Sequence, residues 1–555
     1  MFKKYIIIIT IVCTALTGFA KAPKRDAVYH LVSKSYTLNT DGSTEFRKRV
    51  ELQIFTRMTF DEFGETFITY NPDFQELIIN EAYTIRKDGS KVETPANAFN
   101  PMLPESCTKC ERLNGIRTMV VTHTALEYDA TIVLDYTIRS KNFFFQELME
   151  KVDLSYAIPI EKYVVSVTTP DYKPVSFQLN GQNLHYTKTE SKDKDCITTV
   201  YNFTNLPEAP SYDGVFPSAW ASLIIFHGEH DSPGIIHQNS MQKFDNQRIT
   251  DFFRSRFSEE MSDMDKVLLV RDYIHDYIRT NDVDAKVLNY MFASPQQVWE
   301  TNCATPIEKN ILLVGVLQSL GYDAQLAFRN EALAADLKTV VRIVLKGEKV
   351  YYISANESED LSLDAFFAPA TLILQNGKIE KVEAQPTSVE VDAYIYVENG
   401  NLDKPRVDVA RKDVRSPMTK TLQPQEINVA KVSVSQLSNK YYEMTIDDGN
   451  YGTQIRSVDI PADLTYDINT KQSEESYVYT IKLPANTRCL TKPMHKKITV
   501  ENAEMLIDVQ VDGQTVTIKR QLSLPQEGIS AKSVKKFKAM MGEWEAPVKV
   551  VVATK

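Results

Sequence analysis

Alternating hydrophobic and polar positions dominate the first part of the chain. From about residue 26 to residue 231 the alternation has a period of two, which predicts short strands with one buried face. Turn residues at Asn39 to Ser43 and at Lys87 to Ser90 suit hairpins between such strands. The pattern predicts an N-terminal β-sandwich. Its strands are expected at Val28 to Leu38, Thr44 to Ile54, Thr66 to Tyr70, Glu76 to Ile85, Met119 to Leu126, Thr131 to Arg139, Tyr163 to Thr169 and Thr198 to Phe203.

The clearest helix lies in the middle of the chain. Thr305 is a good N-cap, Pro306 fits the first helical position, and Glu308 completes a capping box with Thr305. Gly321 is expected to end the helix in a left-handed conformation. The apolar residues cover more than one face, which predicts a buried helix: Ile311, Leu312, Leu313, Val316, Leu317 and Leu320.

Other elements surround this helix. A capping box of Ser262 and Asp265 begins an earlier helix, and Ser294 caps a short one. After the buried helix the sequence predicts a strand and then a hairpin, at Asp323 to Phe328, Thr339 to Leu345 and Lys349 to Ser354.

The last part of the chain returns to the strand pattern. A helix at Ala531 to Met541 and a final strand at Glu545 to Ala553 follow these strands. The lysines of that helix are expected to form a solvated face, with an anionic polymer or membrane as the alternative contact. The strands are expected at Val429 to Val434, Tyr441 to Ile446, Ser476 to Leu483, Lys497 to Val500, Met505 to Val511 and Gln514 to Leu522.

Length and composition narrow the class of protein. A chain of 555 residues exceeds what one hydrophobic core serves, so about three or four domains are expected. With 43% hydrophobic and 25% charged residues the composition is that of a globular protein. A net charge of −10 argues against nucleic acid as a partner, and the sequence has no basic stripe, phosphate-binding loop or dinucleotide fingerprint. No cofactor is predicted.

The N-terminus has the pattern of a secretory signal. Lys3 and Lys4 precede a mostly apolar run from Tyr5 to Leu16, which is too short to span a membrane, and Ala20 to Ala22 offers a cleavage site. Lipidation at Cys13, within the run, is the alternative. No other stretch is long enough for a transmembrane helix. We therefore expect a periplasmic, secreted or cell-surface protein.

Five cysteines follow the predicted signal: Cys107, Cys110, Cys196, Cys303 and Cys489. The number is odd, so at least one thiol is unpaired. The Cys107-x-x-Cys110 pair lies in a predicted loop and is interpreted as a local disulfide or two surface thiols. Cys303 alone is interpreted as a free cysteine in a loop, although pairing with Cys489 or another cysteine stays open.

A thiol before a buried helix, followed by a strand and a hairpin, resembles the transglutaminase-like branch of the papain-like cysteine superfamily. The resemblance is sharpest from Trp299 to Tyr322. The whole chain is similar to exported bacterial proteins in which such a core lies between β-rich domains. The resemblance implies a multidomain α+β fold with a central papain/transglutaminase-like core. The implied domains are a signal peptide (1–22), an N-terminal β-sandwich (23–235), the core (236–384) and a C-terminal β-rich domain (385–555).

The resemblance also implies a Cys-His-Asp site, which this chain carries only in part. Cys303 matches the nucleophile, but Thr339 stands at the histidine position and Ser354 at the aspartate position. Neither Thr339 nor Ser354 is a general base near neutral pH. Alignment through Glu308 instead places the nucleophile position on Pro306. The site is therefore interpreted as degenerate.

Two functions are compatible with this sequence. The first is a non-catalytic module that binds a peptide, a protein or a glycan. The second is an active cysteine peptidase or acyl transferase that uses Cys303, with a base from elsewhere such as His275 or the pair His227 and His230. The His227-Gly-Glu-His230 segment also has metal-ligand residue types, but no third ligand is placed, so no metal site is predicted.

Overall fold

The computed structural model describes residues 25–181, 184–208, 216–217, 222–226, 244, 246–329, 339–347, 349–356, 370–382, 387–396, 402, 405–414, 431–447, 455–460, 467–470 and 472–554. The predicted signal peptide (1–22) and the histidines His227 and His230 lie outside the described residues. None of the described helices is both long enough and apolar enough to cross a membrane.

The described residues of the N-terminal region form fifteen strands, one short α-helix, α1 (Met58–Phe63), and three 3₁₀ turns. An eight-stranded sheet has the order β12-β13-β10-β1-β2-β8-β4-β5, in which only β1 and β10 run parallel. Two three-stranded sheets, β11-β15-β9 and β3-β7-β6, accompany it. The strands are β1 (Ala27–Leu38), β2 (Thr44–Ile54), β3 (Glu65–Tyr70), β4 (Gln75–Ile85), β5 (Lys91–Glu93), β6 (Phe99–Met102), β7 (Arg117–Thr122), β8 (Thr131–Ser140), β9 (Met149–Asp153), β10 (Ile160–Pro170), β11 (Ser176–Asn180), β12 (Tyr186–Asp193), β13 (Cys196–Leu206), β14 (Phe216–Pro217) and β15 (Ser222–Phe226).

In the described part of the central region there are four α-helices and one larger sheet. The helices are α2 (Gln247–Arg254), α3 (Asp263–Tyr277), α4 (Pro295–Thr301) and α5 (Pro306–Ser319). Its antiparallel sheet has the order β20-β19-β18-β21-β22. The strands are β16 (Arg279–Thr280), β17 (Cys303–Ala304), β18 (Asp323–Arg329), β19 (Thr339–Leu345), β20 (Lys349–Ile353), β21 (Ala370–Leu374) and β22 (Ile379–Val382). Helix α5 packs into the largest apolar cluster of this region, between the other helices and the sheet.

The C-terminal region forms a six-stranded sheet, β24-β23-β28-β32-β31-β30, and a four-stranded sheet, β25-β26-β33-β29. One face of α6 (Val534–Glu545) is buried against both, through Phe537, Met540, Met541 and Trp544. Strand β27 pairs with β14 of the N-terminal region. The strands are β23 (Thr387–Tyr396), β24 (Arg406–Val414), β25 (Lys431–Ser438), β26 (Tyr441–Asp447), β27 (Ile468–Asn469), β28 (Ser473–Lys482), β29 (Thr487–Cys489), β30 (Met494–Val500), β31 (Ala503–Asp512), β32 (Thr515–Leu524) and β33 (Val548–Thr554).

The predicted fold class is wrong. Among the described residues 51% are in strands and 19% in helices, and the strands form eight separate sheets of two to eight strands. A papain-like α+β core with substantial helices is not present in the described part of the chain. The central helices are short, from 7 to 15 residues. The prediction failed because one buried helix beside a thiol and a hairpin was extended to a whole domain, whereas these elements fit several layer arrangements. The domain boundaries stay predictions.

Individual elements were predicted more successfully. The structure confirms the capping boxes at Ser262 and Thr305 and the cap at Ser294, which there forms a capping box with Gln297. Gly321 has a φ of 95°, the left-handed conformation expected after the helix. The hairpin of β19 and β20 also forms where the alternation predicts it. These features depend on residues close in sequence, which is why the sequence alone indicates them.

Candidate functional site

Helix α5 places the residues around the predicted site. The Thr305 hydroxyl accepts the Glu308 amide at 3.4 Å, and Glu308 Oε2 accepts the Thr305 amide at 2.8 Å. The reciprocal hydrogen bonds fix the direction of the helix start. Eleven of the helix residues are buried, including three that are polar or charged: Glu308, Lys309 and Asn310. Buried polar groups of this kind need partners, so the contacts of these three residues define the site.

Asn310 is completely buried and connects the helix to the hairpin. Its Nδ2 donates to the Thr339 hydroxyl at 2.9 Å, to the Thr339 carbonyl at 3.1 Å and to the Ser354 hydroxyl at 3.3 Å. Its Oδ1 accepts the Ala355 amide at 2.8 Å. We call these four residues the Asn310 network. Thr339 and Ser354, the residues matched to the histidine and the aspartate, are therefore linked in space by the side-chain amide of Asn310.

The Asn310 network provides hydrogen bonds but no base. Threonine, serine and asparagine side chains do not exchange protons near neutral pH, so the network cannot remove a proton from a thiol. Asn356 Nδ2 donates to the Pro306 carbonyl at 2.8 Å, which ties the end of the hairpin to the first turn of α5. Pro306, the alternative nucleophile position, has no reactive side chain. The arrangement therefore stabilises the junction of helix and hairpin.

Glu308 links α5 to the N-terminal region. The fully buried carboxylate accepts Arg112 Nη2 at 2.7 Å and the Ala293 amide at 2.7 Å. Arg112 lies in a short 3₁₀ turn of the N-terminal region, so this ion pair joins segments almost 200 residues apart in sequence. With three donors the charge of Glu308 is well compensated, which a buried carboxylate requires.

Lys309 points towards helix α3. Its Nζ donates to the His275 carbonyl at 3.0 Å, and burial lowers the pKa of its ammonium to about 8. The His275 imidazole contacts Asp276 Oδ1 at 2.9 Å and is partly exposed. Its described contacts thus give the His275 imidazole a hydrogen-bond partner at the surface, Asp276, and no cysteine.

Cys303 forms a disulfide with Cys110, with a Cα–Cα distance of 6.0 Å. The interpretation of Cys303 as a free loop cysteine is therefore wrong, as is the local pairing of Cys107 with Cys110. Cys107 is a free thiol but is completely buried rather than on the surface, and Cys489 is also free. A sulfur held in a disulfide is not a thiolate, so Cys303 has no nucleophile in this form.

A cavity of about 280 Å³ lies between the N-terminal sheets and residues 284–290. Lys286 Nζ pairs with Glu150 in its wall and lies 5.8 Å from the Tyr36 ring centroid. Burial raises the pKa of Tyr36 and of Tyr290 well above the usual value, so both hydroxyls stay protonated and can donate. The aromatic part of the lining consists of Tyr36, Phe46, Phe67, Tyr136, Phe144, Phe145 and Tyr290.

Three carboxylates of this lining already have cationic partners. Glu45 pairs with Arg139, Glu147 with Lys173 and Glu150 with Lys286. The cavity therefore offers aromatic faces, hydroxyl donors and carboxylate acceptors without a large net charge. Among the described residues, no group of three or more histidine, cysteine or acidic side chains could hold a metal ion.

The sequence reasoning missed Asn310, Arg112 and the cavity. Asn310 could have been flagged, because an amide within a helix predicted to be buried on several faces must have partners. The Arg112 contact and the cavity depend on segments far apart in sequence, and no local signal indicates them.

Comparison with known proteins relates parts of the chain to two families. Residues 40–209 match DUF3857 and residues 461–551 match DUF3858, each described as a domain of unknown function with a solved structure. The fold is similar to that of a "putative protease" from Parabacteroides distasonis, with a TM-score of 0.72 and 21% identity over 95% of this chain and 99% of that chain. At this identity the similarity shows the fold alone. Among curated proteins there is no significant match.

Proposed function

We propose that this protein is an exported, non-catalytic module that binds a peptide, a protein segment or a glycan, and that it is related to transglutaminase-like cysteine proteases. The Asn310 network carries this proposal. Its amide contacts Thr339 and Ser354, which the resemblance matches to the histidine and the aspartate, and none of the side chains in the network can act as a base. Export rests on the signal pattern of residues 1–22.

The requirements of cysteine-peptidase catalysis support the non-catalytic proposal, because the described residues do not meet them. Such an enzyme needs a thiolate, a base that takes the thiol proton and a group that orients the base. Here the Cys303 sulfur is bonded to Cys110, and the described contacts of His275 are with Asp276 and, through its carbonyl, with Lys309. The similarity in fold to a solved "putative protease" supports the proposal that this chain is related to proteases but lacks their catalytic residues.

The cavity beside residues 284–290 is the proposed binding place. Its volume of about 280 Å³ is close to the lower end of small-molecule sites, about 300–1,000 Å³, so it suits one sugar ring or one side chain of a longer polymer. Aromatic faces stack on such groups, and the Tyr36 and Tyr290 hydroxyls can donate to their oxygens. Phe67 lines the cavity and is 64% exposed, so a ligand can reach it from solvent.

Calorimetric titration tests the binding role. The purified full chain is titrated with neutral oligosaccharides and with unstructured peptides, and one of the two classes is expected to bind. Phe67→Ala should weaken that binding at least tenfold. Tyr172→Ala, which changes another exposed aromatic residue outside the cavity lining, should leave binding unchanged. Equal affinity of wild type and Phe67→Ala would exclude the cavity.

A turnover assay tests the enzymatic alternative. Fluorogenic peptides and acyl acceptors are incubated with the wild type, with Cys303→Ala and with Cys196→Ala as the matched cysteine control. We expect no turnover above that of the buffer in any of the three. Activity that is lost in Cys303→Ala but kept in Cys196→Ala would show an enzyme and would contradict the proposal.

A further inference from the structure

Three cysteines share one small apolar cluster at the junction of the N-terminal and central regions. Cys107, Cys110 and Cys303 are 0%, 2% and 0% exposed, and they pack with the apolar residues Leu113, Ile116, Val283, Val287 and Leu288. Two of the three sulfurs form the disulfide, and the third remains a thiol. A thiol buried in the same cluster as a disulfide has a potential reaction partner within the protein.

The backbone brings Cys107 close to Cys110. The Cys110 amide donates to the Cys107 carbonyl at 3.3 Å, which closes a four-residue turn. Thr108 has φ −61° and ψ 142°, and Lys109 has a left-handed φ of 67°, so the turn resembles type II. The end Cα atoms of such a turn lie less than about 7 Å apart, and disulfides span about 4.4–6.8 Å. A bond between Cys107 and Cys110 is therefore sterically accessible.

We infer that Cys107, Cys110 and Cys303 form an intramolecular thiol–disulfide exchange site, which converts the Cys110–Cys303 bridge into a Cys107–Cys110 bridge and releases Cys303 as a thiol. The Cys107 thiol loses its proton to solvent, and the thiolate attacks the Cys110 sulfur. The new S–S bond forms as the bond to Cys303 breaks, and the Cys303 thiolate takes up a proton. One disulfide and one thiol are present before and after, so no external oxidant or reductant is needed.

The surroundings make this exchange slow but possible. Burial raises the pKa of the Cys107 thiol, which reduces its thiolate fraction, and the Arg112 guanidinium opposes the shift. Cys303 lies in the two-residue strand β17, and Cys110 lies between two short 3₁₀ turns. Neither cysteine is inside a long regular element that would have to unfold for the sulfurs to move.

The exchange changes both the connection between regions and the candidate nucleophile. The present bridge joins residues 193 apart in sequence, whereas the new one closes a local turn. After the exchange the junction depends on non-covalent contacts such as Arg279 to the Lys109 carbonyl, at 2.7 Å. Cys303, two residues before the Thr305 cap of α5, becomes a free thiol. The inference is independent of the proposed binding function.

Trapping experiments test the inference on the full chain, purified without reductant. Cys13→Ser, Cys196→Ser and Cys489→Ser are combined as background, so that only the three clustered cysteines remain. The protein is incubated at pH 8.5 with iodoacetamide, quenched with acid, and digested with trypsin without reduction. Cleavage after Lys109 places Cys107 and Cys110 on separate peptides, so mass spectrometry distinguishes the two bridges.

We expect alkylated Cys303 and the Cys107–Cys110 linked peptide to accumulate together in equal amounts, at a rate that does not depend on protein concentration. Cys107→Ser in the same background should slow Cys303 alkylation at least tenfold. Equal rates with and without Cys107, or alkylated Cys107 beside an intact Cys110–Cys303 bridge, would overturn the inference. If Cys107→Ser does not fold, the test relies on the disulfide-linked peptides of the background protein alone. Absence of the Cys107–Cys110 linked peptide then refutes the exchange.

Discussion

Replacement of Asn310 by alanine should loosen the hairpin of β19 and β20 from helix α5. The change removes the only side chain that connects the Thr339 carbonyl and the Ala355 amide to the helix within the Asn310 network. Each buried backbone group left without its partner costs about 1–3 kcal/mol. The Thr339 carbonyl and the Ala355 amide together therefore cost roughly 2–6 kcal/mol. The Thr339 and Ser354 hydroxyls can rotate to new partners, which reduces the cost, so we expect the hairpin to be destabilised by about 3 kcal/mol.

Hydrogen–deuterium exchange with mass spectrometry measures this effect locally, which suits a chain of several regions whose unfolding is not two-state. A loss of about 3 kcal/mol in the opening free energy increases the exchange rate on the order of 100-fold. The increase should appear in peptides that cover residues 339–347 and 349–356. Peptides from the six-stranded C-terminal sheet should be unchanged.

Gln318→Ala is the matched control on the same helix. Gln318 is exposed and makes one hydrogen bond to the Ala324 carbonyl, at 2.8 Å. Its loss should cost at most about 1 kcal/mol, since exposed groups find water instead. If exchange of the hairpin in Asn310→Ala rises by less than about threefold, or no more than in Gln318→Ala, the Asn310 network does not hold the hairpin, and the reasoning is refuted.

Three further predictions concern buried ionisable groups. Glu308→Gln should destabilise the junction by roughly 3 kcal/mol, because it leaves the Arg112 charge without its partner. In thermal unfolding, the double mutant Glu308→Gln/Arg112→Met should recover part of this loss. Additive effects of the two substitutions would contradict the ion pair. Burial lowers the pKa of His123 to about 4, so the unfolded chain binds the proton first and stability falls by roughly 3 kcal/mol between pH 6.5 and pH 4. Hydrogen–deuterium exchange of the strands around residue 123, corrected for the intrinsic pH dependence of exchange, should show this loss in wild type and in His495→Gln, whose histidine is exposed, but not in His123→Gln. Burial lowers the pKa of Lys309, so on raising the pH the folded chain releases this proton before the unfolded chain does. The free energy of unfolding of the wild type should therefore rise relative to that of Lys309→Met as the pH increases from about 8 to 10.5. A constant difference between the two proteins would show that burial does not destabilise the ammonium.

The sequence predicts those parts of the structure that depend on neighbouring residues. The start of α5 at Thr305 and its end before Gly321 follow from capping rules that involve a few positions. The ends of β19 and β20 follow from alternation and a short turn. Thr339 and Ser354, which the resemblance matches to two positions of one site, both contact Asn310.

The parts that the sequence did not predict depend on distant contacts. The Cys110–Cys303 bridge joins two positions 193 residues apart, and five cysteines allow several pairings without any rule that selects one. The fold class was wrong for a related reason: periodicity gives the type of each element, whereas the number and arrangement of sheets depend on which strands pair. Asn310 falls between the two cases, since its burial was predictable and its partners were not.

The pairing of β14 with β27 affects the order in which the chain can be completed during synthesis. Phe216 pairs with Asn469, about 250 residues later. At elongation rates of about 5–20 residues per second, the partner of β14 emerges roughly 13–50 s after β14 itself. The eight-stranded sheet, whose strands all precede residue 207, has its full sequence well before then. Strand β14 therefore stays without its β27 partner until residues 468 and 469 are available, and a chain truncated before residue 468 should retain the eight-stranded sheet but lack this pairing.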